Sequence, residues 1–480
     1  MSGTAQGTRA IRDVEGEATT GDAIAPYIRR NDRAVRETWE AQVRLRAKWD
    51  QQKHRVRARL RLDPEELDAW QLDRVRVLVD TAYTTIPFYR ELYSSVGFEP
   101  GDIVTWDDFR RLPLVDKRAL VEADVGEQVL RTAGGRTVHS ARTSGSSGLN
   151  LTIYQDNASV DYRAVLYVRH CELVLGAPLR PEDWRYSVYF AAERFSSMAG
   201  EYPFLTVSQD CPTDVLLDHL ARVRPRLLLA FPGYLQRLAA HGVELTRFGI
   251  DAVGTNSERS SVEERVRYSE VFGVPVLDEY SSEEFSMLAH ECRERRYHLT
   301  EDSAYVEVAD ADESGFGHLV ATSLGNSFMP FIRYDQGDVV RLADTGQRCP
   351  CGTRFRSLAA FRGREDESLR DGPTRRVPAD AVLGLCDRTL VVLESNVRQY
   401  QIAQVSPDRV ELRYQPLERG RDDRSNPLVA GFAAELPSLF HHVRLRVDVV
   451  EVDDFATFAS GKRRLIVTEG DWAARPEGRG

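Results

Sequence analysis

Lysine is nearly absent from this sequence: Lys48, Lys53, Lys117 and Lys462 are the only four among 64 basic residues, the rest being arginine. Such a bias fits a GC-rich coding sequence, and it gives weight to any lysine that falls inside a motif. Positive charge is not in excess. The formal net charge of −10 argues against a nucleic-acid partner and gives no support for binding to an anionic membrane. No apolar run approaches the ~18 residues that a membrane-spanning helix needs. Residues Met1 to Asp32 lack the charged and apolar stretches of a secretory leader. Six cysteines in 480 residues, without regular spacing, do not make a disulfide framework. These absences exclude membrane, secreted and fibrous classes and lead to the expectation of a cytoplasmic protein. Apolar residues, at 42% of the chain, suffice for about two to four domains of ordinary size.

The first thirty or so residues are rich in Gly, Thr and Ala and read as a flexible tail, residues 1–32. A helical stripe follows at Val35, Trp39 and Val43. A second helix has a full start signal, with Asp63 as N-cap, Pro64 at the first helical position and Glu66 reaching back. In the middle of the chain, β-rich runs at Arg226–Phe231, Asp251–Gly254 and Pro275–Tyr280 are separated by helical stretches at Thr213–Val223 and Ser261–Val271. That rhythm predicts an α/β fold with a mostly parallel sheet and covering helices. After about Asp302, strands at Tyr305–Val308, His318–Ser323 and Val339–Leu342 follow one another with Gly turns, as in a barrel-like antiparallel subdomain. A final α+β segment carries strands at Val410–Tyr414, Val443–Val452 and Arg464–Thr468 and a helix near Ala379–Leu390, with a polar loop at Arg419–Asn426.

Thr143-Ser-Gly-Ser-Ser-Gly148 is the most telling local signal. Its small residues allow consecutive backbone N–H groups and hydroxyls to approach a phosphate chain, although a plain Ser/Gly turn has the same composition. It is not the P-loop pattern, because G-x-x-x-x-G-K-[ST] is missing. Further along come Asp278-Glu-Tyr-Ser-Ser-Glu-Glu284, Arg333-Tyr-Asp-Gln-Gly-Asp338, Phe361-Arg-Gly-Arg-Glu-Asp366 and Ser460-Gly-Lys462. In order, type and spacing this set resembles the adenylate-forming superfamily, specifically its phenylacetate–coenzyme A ligase-like branch. Ile86-Pro-Phe-Tyr-Arg-Glu-Leu, Leu112-Pro-Leu-Val-Asp-Lys-Arg, Arg224-Pro-Arg-Leu-Leu-Leu-Ala-Phe-Pro-Gly-Tyr, Met329-Pro-Phe-Ile-Arg-Tyr and Cys349-Pro-Cys-Gly match similar segments of that branch. The resemblance runs from about Val75 to Val467.

The resemblance implies a large N-terminal adenylation domain, residues 33–365, and a small mobile C-terminal lid, residues 366–480. It implies ATP and Mg²⁺, a small-molecule acid as substrate and coenzyme A as acceptor. Thr143, Ser144, Gly145, Ser146, Ser147 and Gly148 would hold phosphate. Glu284 would bind Mg²⁺, with Glu283 beside it in a slot that the family usually fills with Ser or Thr, so that which glutamate faces the metal is open. Tyr280 would stack on adenine, with a core tyrosine as the alternative, and Ser281 and Ser282 would line the nucleotide. Asp338 would accept both ribose hydroxyls, a role that suits the two oxygens of a carboxylate. Gly254, Asn256, Ser257 and Glu258 stand where the family has a turn lining the adenine and acyl pockets. Arg364 would reach the nucleotide, Asp366 would be the hinge, and Lys462 would bridge the substrate carboxylate and phosphate during adenylation. Phe231, Tyr234 and Tyr186 are candidates for the acyl pocket.

Cys292, His298, Cys349 and Cys351 offer three thiols and one imidazole. The set suits structural Zn²⁺, and reduced buried cysteines are the alternative. Cys171, Cys211 and Cys386 read as small core residues. Two departures stand out. Leu149 and Asn150 follow Gly148 where the family carries lysine, so one cation toward the β and γ phosphates is missing. The stretch Glu367–Val377 also lacks the family's usual Gly-Val-Asn-Val-Phe-Pro run, which leaves the acceptor open. The leading expectation is activation of an aromatic carboxylate as acyl-AMP and transfer to coenzyme A. The alternatives are the same adenylation with an amine acceptor, a diazotase that activates nitrite for attack by an aryl amine, and a non-catalytic nucleotide-binding scaffold.

Overall fold

The computed structural model describes residues 23–29, 38–129, 137–143, 150–190, 195–344, 348–364, 367–389, 397–416, 427–453 and 465–469. A hairpin of β1 (Val138–Arg142) and β2 (Thr152–Asp156) precedes the main sheet. The parallel half of that sheet comprises β3 (Arg185–Tyr189), β4 (Phe204–Ser208), β5 (Leu227–Ala230), β6 (Ala252–Asn256) and β7 (Val276–Ser282). The antiparallel half comprises β8 (Ser286–Glu291), β9 (Tyr297–Leu299), β10 (Ala304–Ala309), β11 (Gly317–Ser323), β12 (Tyr334–Leu342) and β13 (Ser357–Arg364). All eleven form one sheet, in the order β4-β3-β5-β6-β7-β8-β9-β13-β12-β11-β10. The strands expected as a barrel-like subdomain therefore extend the α/β sheet edge-on, and among the described residues they do not close.

Alternation within the parallel strands explains their near-continuous apolar sequence. Leu228, Ala230, Val253 and Val276 pack with Leu216, Leu220, Leu235 and Phe272 of helices Thr213–Val223, Pro232–Ala239 and Val262–Phe272. Leu227, Leu229, Ala252 and Leu277 pack on the other face with Trp49 and Val165, from helices Trp39–Arg59 and Asn157–Leu175. Strands covered on both faces have no polar side to show. Gly254 is required by this packing, since a Cβ there would lie 2.6 Å from Leu229 Cδ2. Helix Asn157–Leu175 is tied across to the antiparallel half by a buried two-pronged pair, Arg169 to Asp302, at 2.6 and 2.8 Å.

The expected helix at Pro64 runs to Thr85 and carries the full capping box, Asp63 with Glu66. Part of the expected flexible tail is a correction: Ile24 is fully buried, and Arg29 donates its backbone N–H to the Thr206 carbonyl at 2.9 Å. The Ala-Ile-Ala-Pro-Tyr-Ile stretch that ends at Ile28 has enough apolar surface to dock. The rest of that tail and the loop Arg419–Asn426 lie outside the described residues.

Beyond β13, a hairpin of β14 (Leu369–Asp371) and β15 (Arg375–Val377) leads to a separate sheet. Its strands are β16 (Val397–Ser406), β17 (Arg409–Pro416), β18 (Arg446–Glu451) and β19 (Ile466–Thr468), in the order β18-β17-β16-β19. It has its own core of Val382, Leu385, Ile402, Leu412 and Phe432. Asp371 anchors the hairpin by accepting the backbone N–H groups of His441, His442 and Val443 at 2.8, 2.8 and 3.0 Å. Gly363, at φ +86°, sits where a Cβ would meet the Ala379 Cβ at 2.8 Å, so the chain leaves the main sheet through a position that favours glycine. Among the described residues, no helix is long and apolar enough to cross a membrane.

Candidate active site

The parallel and antiparallel halves of the sheet meet at β7 and β8, and the end of β7 with the turn that joins these two strands carries several of the expected residues. Tyr280, near the end of β7, donates its hydroxyl to Asp338 Oδ2. Asp338 is the cross-strand partner of Arg364. The Arg364 Nε lies 3.8 Å from Asp338 Oδ1, and its Nη2 donates to the Gln336 carbonyl at 3.1 Å. Burial, and then the Asp338 charge, push the Tyr280 phenol well above its ordinary range, so it stays a donor. Its ring meets Phe361 edge-on with centroids 5.0 Å apart.

Glu284 sits in the turn between β7 and β8 and accepts from the Tyr334 hydroxyl at 3.3 Å. Both Tyr280 and Tyr334 feel the charges of Glu284 and Arg364. Four of the expected residues, Tyr280, Glu284, Asp338 and Arg364, thus share one cleft. Of the two adjacent glutamates, Glu284 is the one held by Tyr334. Ser282 Oγ accepts the Phe285 N–H at 3.3 Å and shapes the turn. Ser281 hydrogen-bonds the buried Glu279; burial disfavours that carboxylate's charge, but His170 at 3.0 Å and Ser281 outweigh it and keep it ionised. The sequence had singled out the Arg-Tyr-x-x-x-Asp motif for its aspartate alone. Its tyrosine orients Glu284, while Arg333 ion-pairs with Glu307 at 3.2 Å and donates to the carbonyls of Arg110 and Leu112.

The neighbouring strand ends contribute a second wall. The register of β6 on β7 puts Asn256 opposite Glu279. Ser257, at φ +68°, shares a 2.6 Å hydrogen bond with the Tyr189 hydroxyl. Tyr189 stacks on Phe231 with centroids 4.4 Å apart and on Phe190 at 4.5 Å. Glu258 accepts the Gly233 N–H at 3.2 Å, in the first turn of helix Pro232–Ala239, and Gly254 is absorbed by packing against Leu229. Of the acyl-pocket candidates, only Phe231 joins the ring stack. Tyr186 shares a 2.9 Å hydrogen bond with His219, and Tyr234 donates to the Cys211 carbonyl at 3.0 Å; both are buried in the core beneath the sheet. A periodic apolar strand does not announce which tyrosine lies past its end.

A pocket opens beside Glu284 between helix Asn157–Leu175, β8 and the loop through Asn326, with Gln155 and Arg163 on its wall. Thr143 closes the β1–β2 hairpin: its Oγ1 accepts the Leu151 N–H at 2.9 Å, and its N–H donates to the Leu151 carbonyl at 3.0 Å. Ser144, Gly145, Ser146, Ser147, Gly148, Asp366 and Lys462 lie outside the described residues.

The cysteine set does converge. The donor atoms of Cys292, His298, Cys349 and Cys351 all lie within 4.8 Å of one another. Cys292 and Cys349 sulfurs are 3.7 Å apart, and Cys351 Sγ is 3.3 Å from His298 Nε2. A tetrahedral zinc, with bonds of ~2.3 Å to sulfur and ~2.0 Å to nitrogen, spaces its ligands by roughly 3.5–3.8 Å. His298 Nδ1–H donates to the Phe355 carbonyl at 3.0 Å, which leaves the Nε2 lone pair for a metal. Hydrogen bonding from Cys292, opposed by burial and helped by His298, holds the Cys351 thiol far below its ordinary value. The donor set therefore fits zinc. It links the end of β8, strand β9 and the turn that enters β13, the strand that carries Phe361 and Arg364. Cys171, Cys211 and Cys386 are buried, as expected of core residues.

No family model matches the chain. Phenylacetate-coenzyme A ligase of Thermus thermophilus is 25% identical to it over 416 residues, spanning 80% of this chain and 89% of that protein. Among solved structures, 2-hydroxyisobutyryl-CoA ligase in the postadenylation state, in complex with R3-HIB-AMP, matches with a TM-score of 0.67 and 19% identity, covering 86% of this chain and 92% of that one. The same ligase in an open conformation with 2-HIB-AMP and CoA gives 0.55 and 20% identity, covering 84% and 91%. The likeness in sequence along four fifths of the chain, together with the shared fold, places this protein in the adenylate-forming superfamily.

Proposed function

We propose that this chain is an ATP-dependent, AMP-forming acid ligase. The observation that carries the reading is the convergence of Glu284 with Asp338 and Arg364 around Tyr280 and Tyr334. In the first step a carboxylate oxygen attacks the α-phosphorus of ATP, giving the acyl-AMP and pyrophosphate; a thiol, coenzyme A, then takes the acyl group and releases AMP. Asp338 serves the ribose, its two oxygens accepting the two hydroxyls once Tyr280 yields its bond. Glu284, held among the described residues by the Tyr334 hydroxyl alone, keeps a carboxylate oxygen for Mg²⁺, which when bound would neutralise charge on the outer phosphates. Lys462 meets the charge developing between acid and phosphate. Residues 366–480 act as the lid, swinging on Asp366, and the cysteine set holds structural zinc.

The ring stack of Phe190, Tyr189 and Phe231 beside Ser257 supports an aromatic acid, since flat apolar faces select flat apolar substrates. Asp338→Asn should raise KM for ATP about ten- to a hundredfold, because a charged acceptor to two hydroxyls is lost, while the melting temperature holds. The test of the whole reading is ATP–pyrophosphate exchange across a panel of aromatic and aliphatic carboxylates and nitrite, followed by product analysis with coenzyme A and with an aryl amine. Exchange with an aryl acid and a thioester product are expected. Exchange only with nitrite, with coupling to the aryl amine, would replace this reading by the diazotase. No exchange with any acid would leave a nucleotide-binding scaffold.

A further inference from the structure

The charged side chains of helix Asn157–Leu175 are engaged with one exception. Asp161 binds Arg44 at 2.7 Å, Arg169 binds Asp302 at 2.6 Å, His170 binds Glu279 at 3.0 Å, and Glu172 binds Arg57. Arg163 has neither an ion-pair partner nor a hydrogen bond among the described residues. It lines the pocket beside the sheet, where among the described residues it is the only cation and Glu284 the only anion. Its charge also reaches Glu279, the residue before Tyr280, so it faces the same end of the sheet. A partly buried guanidinium that no carboxylate contacts directly has a standing preference for an anion.

The glycine-rich stretch that ends at Gly148 is followed by Leu149 and Asn150 and supplies no positive charge. Yet pyrophosphate must leave when the acid attacks: the carboxylate oxygen–phosphorus bond forms, the bond from the α-phosphorus to its bridging oxygen breaks, and the electron pair stays on the departing pyrophosphate. That charge needs a cation near the Glu284 metal position. We propose that Arg163 is the residue that binds the β and γ phosphates of ATP and then the pyrophosphate, in place of a cation from the loop. The assignment rests on the adenylation reading above and adds to it the residue that discriminates triphosphate from monophosphate. A planar fork with paired N–H groups suits two phosphate oxygens at once.

The experiment compares ATP, AMP and inorganic pyrophosphate on the full chain. Arg163→Gln should weaken ATP and pyrophosphate binding about ten- to a hundredfold and leave binding of AMP, which carries no β or γ phosphate to reach Arg163, unchanged; Arg163→Lys should recover part of the loss. Equal weakening of ATP and AMP, or a rise confined to KM for the acid, would overturn the assignment. Should the glutamine variant fail to fold, phenylglyoxal labelling of the unaltered protein decides. Protection of Arg163 by pyrophosphate but not by AMP supports the assignment, and no protection overturns it. An unaltered protein that binds AMP but exchanges no pyrophosphate with any acid would instead defeat the adenylation reading, while differential protection by pyrophosphate would still report on Arg163.

Discussion

Lys462→Ala should lower acyl-AMP formation by about 10²–10³-fold, the loss of ~2.7–4 kcal/mol that follows removal of one strong donor from developing charge. ATP binding should change little, because the assigned contact is made to charge that appears only as the carboxylate oxygen approaches the α-phosphorus. Pyrophosphate release in a single turnover, read beside an equilibrium titration with ATP, separates the two effects. Lys462→Arg should restore only part of the rate, since a broad planar fork does not reproduce a compact ammonium between two oxyanions. If acyl transfer from preformed acyl-AMP to coenzyme A survives in Lys462→Ala while adenylation is lost, the lysine acts in the first step alone, as the reading requires. Turnover equal to that of the unaltered protein would remove its role. A chain with only four lysines among its 64 basic residues carries one of them four positions before β19.

The second large effect concerns the metal. The purified protein should contain one zinc per chain, and Cys292→Ser or Cys351→Ser should lose it. The melting temperature should fall by roughly 5–10 °C, on the order expected when a few kcal/mol is removed from a large domain. A thiolate replaced by an alcohol no longer offers a soft anionic ligand, and the remaining three donors bind weakly. The site is also coupled to the cleft through the chain itself. Ser357 on β13 pairs with His298 on β9, and β13 ends at Arg364 beside Asp338. Loosening the turn through Cys349 and Cys351 should therefore weaken ATP binding, although the thiols touch no nucleotide. Metal analysis that finds no zinc, together with serine variants of full stability, would mean that these are reduced thiols around a histidine.

The parallel half of the fold was legible because its signals are local. Leu227–Ala230 is a short apolar run between turn residues, and Asp63, Pro64 and Glu66 spell a helix start that the structure keeps. Helix Asn157–Leu175 was not legible: packed on several sides, it has no polar face to give a period, and its buried Asp161, Arg169 and His170 look like surface charges until their partners are known. Strand β13, Ser-Leu-Ala-Ala-Phe-Arg-Gly-Arg, alternates poorly because its pairing with β12 slips twice. Within the cleft, Glu284, Asp338, Tyr280 and Arg364 could be named from motif order alone. What motif order could not supply was orientation. Tyr334 lies in a motif read only for its aspartate, Tyr186 and Tyr234 point into the core rather than past the strand ends, and Arg163 belongs to no motif. Distances across 50 or more residues, such as that between Tyr334 and Glu284, are properties of the folded chain.

In the proposed reaction an oxyanion of the acid attacks the α-phosphorus of ATP held in this cleft. An acid carrying ¹⁸O in both carboxylate positions, turned over to its thioester, tests it with one mass spectrum. One heavy oxygen is expected in the AMP and none in the pyrophosphate, because the oxygen that forms the acyl–phosphate bridge leaves with the adenylate. Heavy oxygen in inorganic phosphate, with ADP as the nucleotide product, would show attack at the γ-phosphorus and contradict it.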